Sequence, residues 1–167
     1  MNGTYSQLCI NLDRLKLNQM KEKLDVTLDF ITKNSISFTE GLLKLSNYEV
    51  DRKETNASKA MIKAGAFPYQ KGIESFEFAF QPSINEEQIY DFTTLRFLEK
   101  QENIVFLGSS VVGKTHLATA VGIAAAKKMT STYFIKSHEL LQQLKRSKLE
   151  NRLEARLKHF SKYRLNH

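Results

Sequence analysis

Gly108 and Gly113 bracket four residues and are followed at once by Lys114 and Thr115, a spacing that suits one chemistry, the binding of a phosphate chain. In the pattern G-x-x-x-x-G-K-[ST], consecutive main-chain amides surround an anion while the helix that follows directs its positive end at it. The residues that would form this cradle are Gly108, Ser109, Ser110, Val111, Val112 and Gly113. Lys114 is placed to reach the outer phosphates, and the Thr115 hydroxyl to coordinate a magnesium ion. The chemistry predicted is binding of ATP together with Mg2+. A competing reading makes the segment a glycine-containing strand-to-helix turn, with Lys114 solvated and Thr115 an ordinary cap, but this explains the spacing poorly. Val111 and Val112 are unusual in such a loop, because β-branched residues resist the backbone angles it often needs.

A phosphate loop needs a strand before it and a helix after it. Ile104, Val105, Phe106 and Leu107 form a continuous apolar run, which predicts a parallel strand buried on both faces. Residues 113–128 read as helix and 131–135 as a second strand, together a right-handed crossover of the kind that opens a doubly wound sheet. A helix is then predicted over 139–163, with Leu140, Leu144, Leu149, Leu153, Leu157 and Phe160 among its apolar positions. Upstream, apolar residues recur at helical spacing over 8–31, with a break near Asn18. Ser37 and Glu40 have the order of a capping box and predict a second helical stretch to about Lys63. Gly65 closes that stretch and Pro68 blocks its renewal. Phe76, Phe78 and Phe80 alternate with small or polar residues as in a short strand or extended linker, and Pro82 ends it. A further capping box, Ser83 with Glu86, predicts a helix bearing Ile89, Phe92, Leu95 and Leu98.

The expected organisation is therefore α/β: a helical domain over 1–66, a linker over 67–84, and the first part of a parallel-sheet domain over 85–167. With 41% hydrophobic and 26% charged residues the chain has the composition of a folded protein. Its net charge of +7 biases it toward phosphate-rich or otherwise acidic partners. No run is long and apolar enough for a membrane helix, and the N-terminus lacks the order of a signal peptide, so a cytoplasmic location is expected and no membrane partner. Cys9 lies among Leu8, Ile10 and Leu12 and reads as a small buried hydrophobe. His116 is expected to pack, and the remaining histidines are too scattered for a protein-held metal site. Lys145, Arg146, Lys148, Arg152, Arg156, Lys158, Lys162 and Arg164 outnumber the acidic residues near the end of the chain. They admit a contact with DNA phosphates, although a solvated helix face is the plainer reading.

Several separated motifs occur in a characteristic order: Leu17-x-x-Met20, Glu49-x-x-Arg52, Phe67-Pro68, Phe76-x-Phe78-x-Phe80-x-Pro82, Asn103 before the strand, and Gly113-Lys114-Thr115-His116-Leu117-Ala118. In this the chain resembles the IstB-like ATP-binding proteins, helper ATPases of insertion-sequence transposition that are similar to DnaC-type helicase loaders and part of the AAA+ class. The resemblance implies an N-terminal helical domain and an AAA+ P-loop domain that binds ATP and Mg2+. It implies DNA, a transposase and further copies of the chain as partners, with the segment carrying Phe76, Phe78 and Phe80 near the adenine base. The sequence departs from the family's pattern at Ser109, Ser110 and Val111, where prolines or small residues and then a glycine are usual. It departs again at the end. A strand running into the Walker B Asp-Glu pair should begin about where Leu165 stands, and the sequence given stops at Asn166 and His167. The expectation is a truncated copy with impaired hydrolysis and an open sheet edge; whether it is an enzyme is left undecided. The alternatives are a DnaC-like helicase loader, or a non-enzymatic remnant that binds DNA or intact copies through its helical domain.

Overall fold

The computed structural model describes residues 3–166. It divides into two compact units, Met1–Ala57 and Ser58–His167. None of its helices is long and apolar enough to cross a membrane.

The described residues of the first unit form helices joined by short turns. α1 (Gly3–Arg14), α2 (Asn18–Glu22) and α3 (Leu24–Asn34) replace the helix predicted over 8–31, and the break falls where Asn18 suggested. It is made by Lys16 at φ +58, after which the Leu17 amide donates to the Leu12 carbonyl at 2.9 Å. This turn brings Leu12, Leu24 and Leu45 into one core, with Tyr5, Cys9, Leu17 and Met20 packed around it. Cys9 is thus a packing residue, half-buried against that core. α2 is too short to hold itself together and is held from outside. The buried Glu49 carboxylate accepts from the amides of Gln19 at 2.8 Å and Met20 at 3.3 Å, two of the donors that a helix start leaves open. Arg52 Nη1 stands 3.7 Å from the other oxygen of Glu49. The motifs around Leu17 and Glu49 are therefore two sides of one contact.

α4 (Phe38–Ala64) opens on the predicted capping box. The Ser37 amide and hydroxyl donate to Glu40 Oε2 at 3.0 and 2.9 Å, and the Glu40 amide donates back to Ser37 Oγ at 3.2 Å. Those two donors hold the Glu40 carboxyl below its ordinary range. Gly41 lets α3 come close, since a Cβ there would stand 2.2 Å from Ile31 Cδ1.

α4 passes through the boundary between the units and ends as Gly65 suggested, the Gly65 carbonyl accepting from the Phe134 amide at 2.8 Å. Beyond it, the predicted strand or extended linker around Phe76, Phe78 and Phe80 is instead a pair of single 3-10 turns, Ile73–Ser75 and Phe78–Phe80. A strand would have turned all three rings to one face. The turns bury Phe76 and Phe78 partway and leave Phe80 76% exposed. α5 (Glu86–Thr94) is capped by Asn85, whose side chain accepts from the Gln88 amide, and not by the predicted Ser83. Leu95 at φ +72 then separates α5 from the single turn α6 (Arg96–Glu99).

α7 (Lys114–Lys127) is the axis of this unit. Its Leu117, Ala120, Val121, Ile123, Ala125 and Ala126 are buried, so it is covered on nearly every side, as a helix without a polar stripe must be. On one side it packs with Ile73, Ile89, Phe76 and Phe106; on the other with Leu95, Phe97, Ile104 and Leu165. After it come β1 (Thr132–Tyr133), α8 (Ser137–Leu149), α9 (Leu153–Phe160) and β2 (Leu165–Asn166).

The α/β expectation is met in part: the strand predicted over 131–135 appears as β1, and the larger parallel sheet does not. Among the described residues the sheet consists of β1 and β2 alone, paired in parallel with Thr132 opposite Leu165. The run of Ile104, Val105, Phe106 and Leu107 is not a strand, and it is not buried on both faces. Ile104 and Phe106 reach the cores, while Val105 is 74% and Leu107 89% exposed. Alternation of this kind is what an extended segment shows when one face is covered. Among the described residues no strand pairs with the segment, and its residues make no main-chain hydrogen bond to another backbone group. The helix predicted over 139–163 is likewise broken, by Asn151 at φ +54, into the α8–α9 hairpin.

Candidate functional site

The loop before α7 is shaped by its backbone angles. Gly113 is the N-cap, with φ +91 and no side-chain cap, and among the described residues no acceptor takes the amides of Gly113, Lys114, Thr115 or His116. A helix start left in this state is a set of aligned donors at the positive end of the dipole. Val111 adopts φ +66, the angle that a β-branched residue resists, at a cost of about 1–3 kcal/mol. It does so with its side chain wholly in solvent, where no neighbour adds to the clash.

Lys114 folds back over this loop. Its ammonium donates to the Gly108 carbonyl at 3.0 Å and to the Ser109 carbonyl. The loop carbonyls thus occupy the ammonium donors that phosphate oxygens would take, and they keep the charge beside the open helix start. Thr115 is exposed in the first turn, with its hydroxyl free of protein acceptors among the described residues. Ser109, Ser110 and Val111 are exposed, and Val112 and Gly113 half-buried. The set fits a triphosphate with its magnesium: orphaned amides and an ammonium for the anion, and a hydroxyl for the cation.

Two residues that the motif does not contain hold the loop in place. The Phe76 ring fills the space beside Gly113, where a Cβ would stand 2.6 Å from Phe76 Cε2. His116 lies edge-on to Phe76, with ring centres 5.3 Å apart, and to Tyr69 at 5.8 Å. Its Nε2 is 3.1 Å from Ser75 Oγ, whose hydroxyl donates to the Gly72 carbonyl at 2.8 Å. The same Nε2 lies 3.4 Å from the Gly72 carbonyl, which can only accept, so an imidazole with its proton on Nε2 suits both contacts. His116 therefore packs, as expected, and also pins the 3-10 turn against α7. Spacing alone carries no signal for the Ser75 contact.

A cleft of 720 Å³ opens beside the loop, lined by Gln81, Ile84, Ile89, Phe106, Val112 and Lys114 among others. Its size and its mixed lining are those of a small-ligand site. A second groove, of 940 Å³, shares Lys114 and runs past Thr115 between the segment at Ile104 and the chain at Leu165. Phe78 packs against Tyr90 with ring centres 6.1 Å apart, and Phe80 stays in solvent.

A glycine loop, a bare helix start and a lysine folded across them define a P-loop protein. Within that class the chain belongs to the IstB-like ATP-binding proteins, whose family model matches residues 10–166. It is 62% identical over 165 residues to a protein of Bacillus thuringiensis subsp. berliner named for ATP binding in insertion sequence IS232, covering 99% of this chain and 66% of that one. A protein of Geobacillus stearothermophilus, named likewise for IS5376, is 38% identical over 149 residues, covering 89% of this chain and 59% of that one. A third, from Pseudomonas aeruginosa and named for IS21, is 31% identical over 155 residues, or 93% of this chain and 58% of that one. The chain thus spans about 58 to 66% of the length of these relatives.

Proposed function

We propose that residues 108–115 bind ATP, with the amides from Gly108 to Gly113 and the helix start of α7 around the phosphates and the Lys114 ammonium on the outer ones. The observation that carries this reading is the pairing of an uncapped helix start with a lysine held across it by the Gly108 and Ser109 carbonyls. On binding, those carbonyls exchange for phosphate oxygens, and the loop keeps its shape because Phe76 and His116 brace it from outside the site. Thr115 holds the magnesium ion, which would supply charge neutralisation between the phosphates. The 720 Å³ cleft is the place for the nucleoside. The family and the relatives' names support ATP as the nucleotide and insertion-sequence transposition as the setting. DNA, a transposase and further copies of the chain are the partners that this setting proposes.

Titration of the chain with a fluorescent ATP analogue tests the reading. Lys114→Ala is expected to weaken binding about 100-fold, since a hydrogen bond to a charged group contributes about 1.5–3 kcal/mol and Lys114 makes more than one. Unchanged affinity in a folded variant would reject the site.

A further inference from the structure

The break at Asn151 folds the basic end of the chain into something that a continuous helix would not have. Arg146 on α8, Arg152 in the turn and Arg156 on α9 come to line one cleft of 400 Å³, together with Gln143, Glu150 and His159. Glu150 joins two of them: Arg146 Nε donates to its Oε1 at 2.9 Å and Arg152 donates to its Oε2. These contacts hold the Glu150 carboxyl below its ordinary range. Arg156 donates to Gln143 Oε1 and stacks over Phe160, its guanidinium carbon 5.1 Å from the ring centre.

Three guanidiniums against one carboxylate leave an excess of positive charge in the cleft, and they leave donors unused. Among the described residues Arg146 spends only Nε, and Arg152 and Arg156 each spend one terminal nitrogen. Arg156 Nε is in addition buried with no partner, one of the few orphaned side-chain atoms among the described residues. A buried N–H without an acceptor is costly, so the arrangement favours any ligand that lets this guanidinium turn and find one. Planar forks around a concave surface match the tetrahedral oxygens of a phosphate. The surroundings say which phosphate. Exposed Lys145, Lys148 and Lys158 extend the positive charge along the same two helices, further than a single small anion would use.

We propose that the α8–α9 cleft seats a backbone phosphate of a nucleic acid, with Arg152 and Arg156 as its main contacts. This rests on the nucleic-acid part of the proposed function and is independent of the ATP site. Binding of the full chain to a short DNA duplex, followed by fluorescence anisotropy over a range of salt, tests it. Arg156→Gln is expected to weaken binding about tenfold and to lower the slope of log affinity against log salt by about one, as removal of a single phosphate-neutralising cation should. Arg156→Lys keeps the charge and loses the fork, and is expected to lose affinity as well; Lys53→Gln, a charge removed from the other unit, is expected to leave both quantities near the parent's. ATP binding should not change in any of these variants. Parent-like DNA affinity in both Arg156 variants, or an equal loss from Lys53→Gln, would overturn the cleft while leaving DNA as a partner. Absence of DNA binding by the parent at low salt would overturn both, and the ATP reading would stand.

Discussion

α4 and α7 begin in opposite ways. At Phe38 the chain's own serine and glutamate close off the amides of Ser37 and Glu40, three residues apart. At Lys114 the N-cap is a glycine with no side chain to offer, and the first amides of the helix stay open. The same physics acts at both ends, since each helix presents unpaired donors and a partial positive charge. The first helix satisfies part of its set internally and gains stability. The second leaves them unsatisfied, with a lysine nearby, and becomes fit for an anion. A site of this kind is recognisable as a cap that the sequence withholds.

The contrast can be broken most severely at Lys114, where the alanine variant should all but abolish nucleotide binding while the fold persists. Gly113→Ala comes next. The new methyl group meets Phe76 at 2.6 Å and the backbone angle of +91° disfavours any side chain, so destabilisation of about 1–3 kcal/mol is expected together with weaker binding. Thermal melts and ATP titrations of the single variant and of Gly113→Ala with Phe76→Ala would separate the two causes: the double variant recovers only what the ring obstructs. Thr115→Ala should act more narrowly, weakening ATP binding by several-fold in the presence of magnesium and leaving it near the parent's in EDTA.

The smallest effect belongs to the closed helix start. Because the Glu40 carboxyl is held below its ordinary range by donors that exist only in the folded chain, its contribution is present above the unfolded carboxylate range and is lost as pH falls through the folded value. Glu40→Gln should therefore lower the melting temperature slightly at neutral pH and make no difference in acid. A variant as acid-sensitive as the parent would remove the capping box as a source of that dependence.

What could be read ahead of the structure follows from how local each signal is. The Ser37–Glu40 box, the end of α4 at Gly65, the start of α7 and the break near Asn18 depend on residues a few positions apart, and all four appear as expected. The loop was legible for the same reason, as spacing. Strands were not. Whether Ile104 to Leu107 forms a ladder depends on segments far away in sequence, and apolar content alone could not say that Val105 and Leu107 face outward. The cap of α5 moved from Ser83 to Asn85 because both residues can do the work, and the chain uses the one whose side chain meets the Gln88 amide. The break at Asn151 was hidden by good helix formers on both sides, and asparagine is among the residues that accept the left-handed angle there.

The segment at Val105 and Leu107 has a practical consequence for anyone handling the protein. A stretch of extended backbone with its amides uncommitted and apolar side chains turned to water exchanges hydrogen for deuterium sooner than the helices around it. It also offers a template to any other extended chain, so the protein at high concentration should adhere to itself along this line first, and a charged residue in place of Leu107 should keep it dispersed.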